Sequence, residues 1–146
     1  CYSTSMILWM MDELPVTVSG AAEFTEENID INATAIMKFA DGSRASLNCG
    51  MIFGVTQNGR YDCLYINGSK GYIKSYAEFN GEGKLSYTLC SEGNVETKTV
   101  DVLQNYRLEV EQLGRCILNG ESQRVTPEFS IKNAKLVDMV LEAIGY

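Results

Sequence analysis

The sequence contains no histidine. Ser-His-Asp and Cys-His catalysis both need an imidazole, so those machineries are excluded, and the commonest zinc ligand is missing with them. Long apolar runs are missing too: the longest, Met6 to Met11, has six residues. A membrane-spanning helix needs about 20, so none is expected. Positive charge is scarce, with 12 Lys and Arg against 19 Asp and Glu, a net charge of −7. An acidic chain without a basic cluster argues against nucleic acid and anionic membrane as partners. Proline occurs only twice, and 45% of residues are hydrophobic, which excludes a disordered or collagen-like chain. The five cysteines are an odd number without any C-x-x-C spacing. Scattered free thiols suit a reducing cytoplasm better than a disulfide framework. Cys49 and Cys63 lie in apolar strand patterns, where cysteine acts as a small hydrophobe.

What is present reads as one domain over residues 1–146, since this length suffices for a core without staples. The chain begins with Cys-Tyr-Ser and enters an apolar segment at once, which is expected of a piece of a longer polypeptide. Cys1 to Met11 reads as a helix, ended by Leu14-Pro15-Val16 because a proline disfavours helix in the residue before it. Val16 to Ser19 reads as a short strand and Glu23 to Asn28 as an acidic connector.

The clearest signal follows. Ile29, Ile31, Ala33, Ala35, Met37 and Phe39 alternate with Asp30, Asn32, Thr34, Ile36 and Lys38, the period of a half-buried strand. Ala40-Asp41-Gly42-Ser43 reverses the chain, and alternation resumes at Ala45, Leu47, Cys49, Met51 and Phe53. The opposite face carries Arg44, Ser46, Asn48, Gly50 and Ile52. Further strands are predicted over Tyr61 to Ile66, Tyr72 to Tyr76, Lys84 to Cys90 and Val95 to Val102, joined by Gly-containing turns.

Beyond them the period lengthens. Tyr106, Val110, Leu113 and Ile117 form a helical stripe that stops at Asn119-Gly120. Thr126-Pro127-Glu128 opens a last helix, whose buried face is marked by Ala134, Val137, Leu141 and Ile144. Helix, a run of strands and two closing helices indicate an α+β fold: an open, mostly antiparallel sheet of about seven strands with helices on one face. The other face, with Thr34, Ile36, Ser46, Asn48 and Ile52, is either solvated or a subunit interface.

Chemistry is sparse. No G-x-G-x-x-G occurs, so no dinucleotide fingerprint is present. Glu109 and Glu111, two residues apart, do not share a helix face and are read as solvated. The sequons Asn32-Ala33-Thr34 and Asn67-Gly68-Ser69 are discounted, the first for lying in a strand and both for the cytoplasmic reading of the thiols. Tyr2 heads the first helix beside three hydroxyl residues, where packing is the ordinary role.

Read in order, these pieces resemble the C-terminal domain of the Gfo/Idh/MocA oxidoreductases. Cys1-Tyr2 with the apolar helix and Leu14 to Val18 is similar to the family's first helix and strand, and Ala35 to Ala45 to its central hairpin. Ile66-Asn67-Gly68-Ser69-Lys70-Gly71-Tyr72-Ile73 resembles its I-x-G-(S/T)-x-G-x-I turn, and Asn105 to Glu111, Ile117 to Gly120 and Thr126 to Glu128 its closing helices. The resemblance implies an NAD(P)-dependent oxidoreductase acting on a hydroxyl or carbonyl of a sugar, polyol or related small molecule. This chain would be its substrate-side and oligomerisation domain. NAD or NADP would be bound mainly by an N-terminal Rossmann domain that these residues do not include, and the family's catalytic Lys would lie there as well. The chain by itself would be inactive.

The family's Asp-x-Gly-x-(His/Tyr) motif would end on Cys1 and Tyr2, which makes Tyr2 the implied proton donor or acceptor at the substrate hydroxyl. A tyrosine side chain titrates near pH 10 and needs a neighbouring cation to serve at neutral pH. The resemblance implies no metal site, a homo-oligomer formed through the open sheet face, and a cytoplasmic setting. The alternative is a non-catalytic relative retained for assembly or ligand sensing.

Overall fold

The structure is a computed structural model and describes residues 1–51 and 61–146. The chain divides into two compact units, Cys1–Gly54 with Val125–Tyr146, and Val55–Arg124. Three helices and seven antiparallel strands make up the described residues, the α+β architecture the sequence predicts. The strands form a three-stranded ladder in the first unit and a four-stranded ladder in the second.

The first unit holds α1 (Tyr2–Met11), β1 (Thr17–Phe24), β2 (Asp30–Lys38), β3 (Arg44–Gly50) and the last helix, α3 (Pro127–Ile144), with strand order β1-β2-β3. Its core is the predicted alternation made solid. Ala33, Ala35, Met37, Phe39 and Leu47 are buried, and Leu8 of α1 with Leu136, Val140 and Ile144 of α3 close over them. The hairpin turns as expected: the Phe39 amide donates to the Ser43 carbonyl (3.0 Å), and Gly42 takes φ +87°. Asp41 Oδ1 accepts from the Ser43 amide (2.9 Å) and hydroxyl (2.6 Å), which holds the Asp41 carboxyl below its ordinary range. Ile52 and Phe53, placed on this hairpin by the alternation, lie outside the described residues.

Several details differ from the sequence reading, among them the strand expected from Tyr61, which begins at Leu64. The first strand runs on to Phe24, so Glu23 and Phe24 belong to it and not to a connector. Glu23 pairs across from Asn32 on the exposed face, where a charge costs nothing. Gly20 obscures the alternation at the strand's middle. A Cβ there would stand 2.7 Å from the Thr34 carbonyl oxygen and 2.8 Å from an Ile144 methyl, so the bare backbone lets α3 approach the sheet. The buried face of α3 is also rotated from the expected one. Leu136, Val140 and Ile144 form the buried line, Val137 and Leu141 flank it, and Ala134 is exposed.

The second unit holds β4 (Leu64–Gly68), β5 (Gly71–Ser75), β6 (Gly83–Ser91), β7 (Asn94–Val102) and α2 (Asn105–Asn119), with strand order β4-β5-β6-β7. Gly71, in the turn motif quoted above, has φ +147°, and a Cβ there would run into the Cys90 carbonyl. The β6–β7 hairpin closes through Glu92 (φ +50°) and Gly93 (φ +82°), two left-handed residues whose twist matches that of the strands. The α2 stripe of Tyr106, Val110, Leu113 and Ile117 is present as predicted and is exposed along its length.

Candidate active-site helix

The site the sequence singles out is the first turn of α1. Cys1 provides no side-chain cap. The neighbouring hydroxyls instead turn back on the backbone: Thr4 Oγ1 donates to the Cys1 carbonyl (2.8 Å) and Ser5 Oγ to the Tyr2 carbonyl (2.9 Å). Such bonds satisfy the Thr4 and Ser5 hydroxyls locally and aim neither outward as a nucleophile. Thr4 and Leu8, one turn apart, are buried and fix the rotation of the helix. Tyr2 lies about 200° around the axis from Thr4 at 100° per residue, so it faces away from the core. It is 71% exposed. Packing inside this unit is therefore not what holds its ring.

The helix that carries Tyr2 is firmly held. Its far end stops at Asp12, whose backbone is left-handed (φ +55°). Lys132 of α3 donates from Nζ to the Asp12 carbonyl (2.8 Å) and stands 3.5 Å from Asp12 Oδ1. The Trp9 ring lies 5.0 Å, centroid to centroid, from Phe129 of α3. Met6 and Trp9, four and seven residues on, share the side of Tyr2, so an apolar wall runs beside the phenol. These clamps act on the far half of α1, and Tyr2 stands at its opposite end.

The other candidates resolve as structural. Glu111 accepts from Arg107 Nε at 2.7 Å, and this pairing holds its carboxyl below the ordinary range. Cys49 and Cys63 are exposed and not buried as small hydrophobes. Local desolvation, with Asp30 adding to it, pushes the Cys49 thiol up, which disfavours the thiolate a nucleophile requires. Among the described residues no group of three or more potential ligands could hold a metal ion. The first-turn amides at Arg107 of α2 and Phe129 of α3 are satisfied by the cap side chains Gln104 and Thr126, and neither helix opens from a glycine-rich turn. One cluster escaped the sequence reading altogether: Tyr61, Tyr65, Tyr72 and Tyr76 around Lys74, whose signal was four tyrosines within 16 residues.

Residues 1–74, half of the chain and the part that includes α1 and the first ladder, match the family described as GFO/IDH/MocA C-terminal domain. The chain belongs to this family. As a GFO/IDH/MocA C-terminal domain it is 22% identical over 145 residues to D-xylose 1-dehydrogenase (NADP(+)) 2 of Haloferax volcanii, a match over 98% of this chain and 43% of that protein. The fold recurs in a 3-ketoreductase from Actinomadura kijaniata solved with NADP (TM-score 0.80, 17% identity, 98% of this chain and 45% of that one). It recurs in aldose-aldose oxidoreductase from Caulobacter crescentus solved with glycerol (TM-score 0.77, 14% identity, 97% and 42%). Biliverdin reductase from Synechocystis, solved with biliverdin and NADP+, shares it as well (TM-score 0.77, 17% identity, 99% and 44%). The chain spans less than half the length of each of these relatives.

Proposed function

We propose that this domain is the substrate side of an NAD(P)-dependent oxidoreductase acting on a hydroxyl or carbonyl of a sugar, polyol or related small molecule, with Tyr2 moving the proton at the reacting oxygen. The exposed phenol of Tyr2 on a clamped helix carries the proposal. Interconverting a carbinol and a carbonyl requires a proton to leave or join the oxygen, and a phenol beside an apolar wall offers a donor and acceptor for it. Family membership supports the reading, as do the NADP and aldose chemistry in the names of the relatives. The cofactor is proposed to be bound mainly by a nucleotide-binding domain of the kind the resemblance implies; the sequence itself has no G-x-G-x-x-G turn. The test is an assay of the full-length protein with NAD+ and NADP+ against aldoses and polyols, read by reduced-nicotinamide absorbance. Turnover with at least one is expected, and none with residues 1–146 alone. A full-length protein that binds NADPH yet turns over nothing would favour the non-catalytic alternative.

The open face of the first ladder is proposed to bind a second copy of the chain in the cytoplasm. Ile36 is 58% exposed at its centre, and the cross-strand neighbours Ser19 and Ser46 are small enough for close approach. Ile36→Lys is expected to shift the assembly towards monomer, since a buried unpaired ammonium is costly. An unchanged mass by light scattering would place the interface elsewhere.

A further inference from the structure

Four of the tyrosines converge on one face of the β4–β7 ladder. Tyr65 stands directly across from Lys74, Tyr72 and Lys74 alternate onto one face of β5, and Tyr76, one residue past the end of that strand, is held beside them by its contacts with Lys74 and Tyr61. The Tyr65 and Tyr72 rings lie 5.7 Å apart between centroids, and those of Tyr61 and Tyr76 6.2 Å apart. Lys74 Nζ sits 4.7 Å from the centroid of Tyr76, between the two ring pairs. Tyr61, Tyr65 and Tyr76 are each more than half exposed. Exposing three aromatic rings side by side leaves apolar area in water that a core or a scattered surface would not leave.

The charge at the centre is uncompensated. Among the described residues no carboxylate lies within ion-pair distance of Lys74. Its contact with Tyr76, through a hydrogen bond foremost, raises Lys74 above the ordinary lysine range, so the ammonium stays charged at neutral pH. Next to Lys74 the face is hydroxylic: Lys74 pairs across to Thr88, Thr88 to Thr97, and Ser86 and Thr99 share a hydrogen bond of 2.9 Å, with Lys84 and Asp101 facing each other beyond them. Tyr72 and Tyr76 are four residues apart, about 13 Å of extended strand.

We propose that this tyrosine panel binds an acidic saccharide, two or three pyranose rings long, whose carboxylate or phosphate meets Lys74. The C–H faces of pyranose rings are apolar and stack on aromatic rings, their hydroxyls match the Ser and Thr rows, and the one missing counter-charge is supplied by the ligand. A second copy of the chain fits less well. A self-stack centred on this lysine would set two like charges together in a drying interface. The inference does not rest on the role of Tyr2, and its test reads no turnover.

Calorimetric titration of the protein with trigalacturonic acid, and separately with its methyl ester, tests the panel. Saturable binding of the acid is expected, weaker for the ester and weakened by salt. Tyr65→Ala is expected to weaken both by about tenfold, and Tyr65→Trp to retain binding, because it keeps a stacking ring. Lys74→Met keeps the stem and removes the charge, so it should erase the preference for acid over ester. Melting curves check that each variant is folded. Three outcomes would overturn the proposal: no saturable binding at about 10 mM, acid and ester bound alike by the unaltered protein, or a fall in oligomer mass with Tyr65→Ala, which would make the panel a subunit contact.

Discussion

Tyr2→Phe is expected to lower turnover of the full-length enzyme by about 10²–10⁴, the usual worth of a positioned acid–base group. The substitution removes one oxygen and keeps the ring. Because the ring is 71% exposed and the hydroxyl bonds to nothing else among the described residues, the loss should leave the melting temperature unchanged. Cofactor affinity should also hold, since the substitution removes a single hydroxyl that the proposal places at the substrate oxygen. Turnover falls while binding stays because the hydroxyl matters where charge moves, not where the ground state is held. A fall in stability of more than about 1 kcal/mol would mean that Tyr2 is a packing residue. Turnover within a few-fold of the unaltered enzyme would give the proton to another donor.

Leu136→Ala is expected to destabilise the first unit by about 2–5 kcal/mol. Leu136 has no exposed surface and sits in α3 among Leu8, Met37 and Phe39, the largest fully buried side chains of the core. Removing it leaves a cavity between the helices and the β2 strand, lined by groups that cannot all collapse. In a chain of this size the melting midpoint should fall by roughly 10 °C. The same deletion at Val110, which is 71% exposed on α2, should change it little. Equal shifts at the two positions would show that the core lies elsewhere. Because α3 also holds α1 through Lys132 and Phe129, Leu136→Ala should loosen the platform under Tyr2, and activity near the new midpoint should fall ahead of global unfolding.

The central hairpin was legible in its first strand and its turn because that information is local, whereas Cys49 and Met51, expected on the apolar face of the second strand, are exposed. Ala33, Ala35, Met37 and Phe39 are buried at every second position, and Asp41-Gly42 carries its own turn chemistry. The helix α3 was legible as a helix but not in its orientation. Apolar residues at 129, 131, 134, 136, 137, 139, 140, 141 and 144 cover most of its circumference, and docking on β1 and β2 selects the arc through Leu136, Val140 and Ile144. The end of β1 was hidden by Gly20 and Glu23, whose roles depend on a helix and a strand distant in sequence. The role proposed for Tyr2 comes only through the family resemblance; its exposure was not legible, because no local pattern distinguishes a packing tyrosine from an exposed one. The tyrosine panel depends on the β4–β5 register that brings Tyr65 across from Lys74, a long-range fact that residue spacing does not state.

The most direct measurement is a crystal structure of the full-length protein with cofactor and a sugar or polyol substrate bound together. The account predicts Tyr2 Oη within about 2.6–3.2 Å of the substrate oxygen on the reacting carbon, or bridged to it by one water. A substrate seated with that oxygen out of reach of Tyr2, and hydrogen-bonded to a different acid, would contradict it.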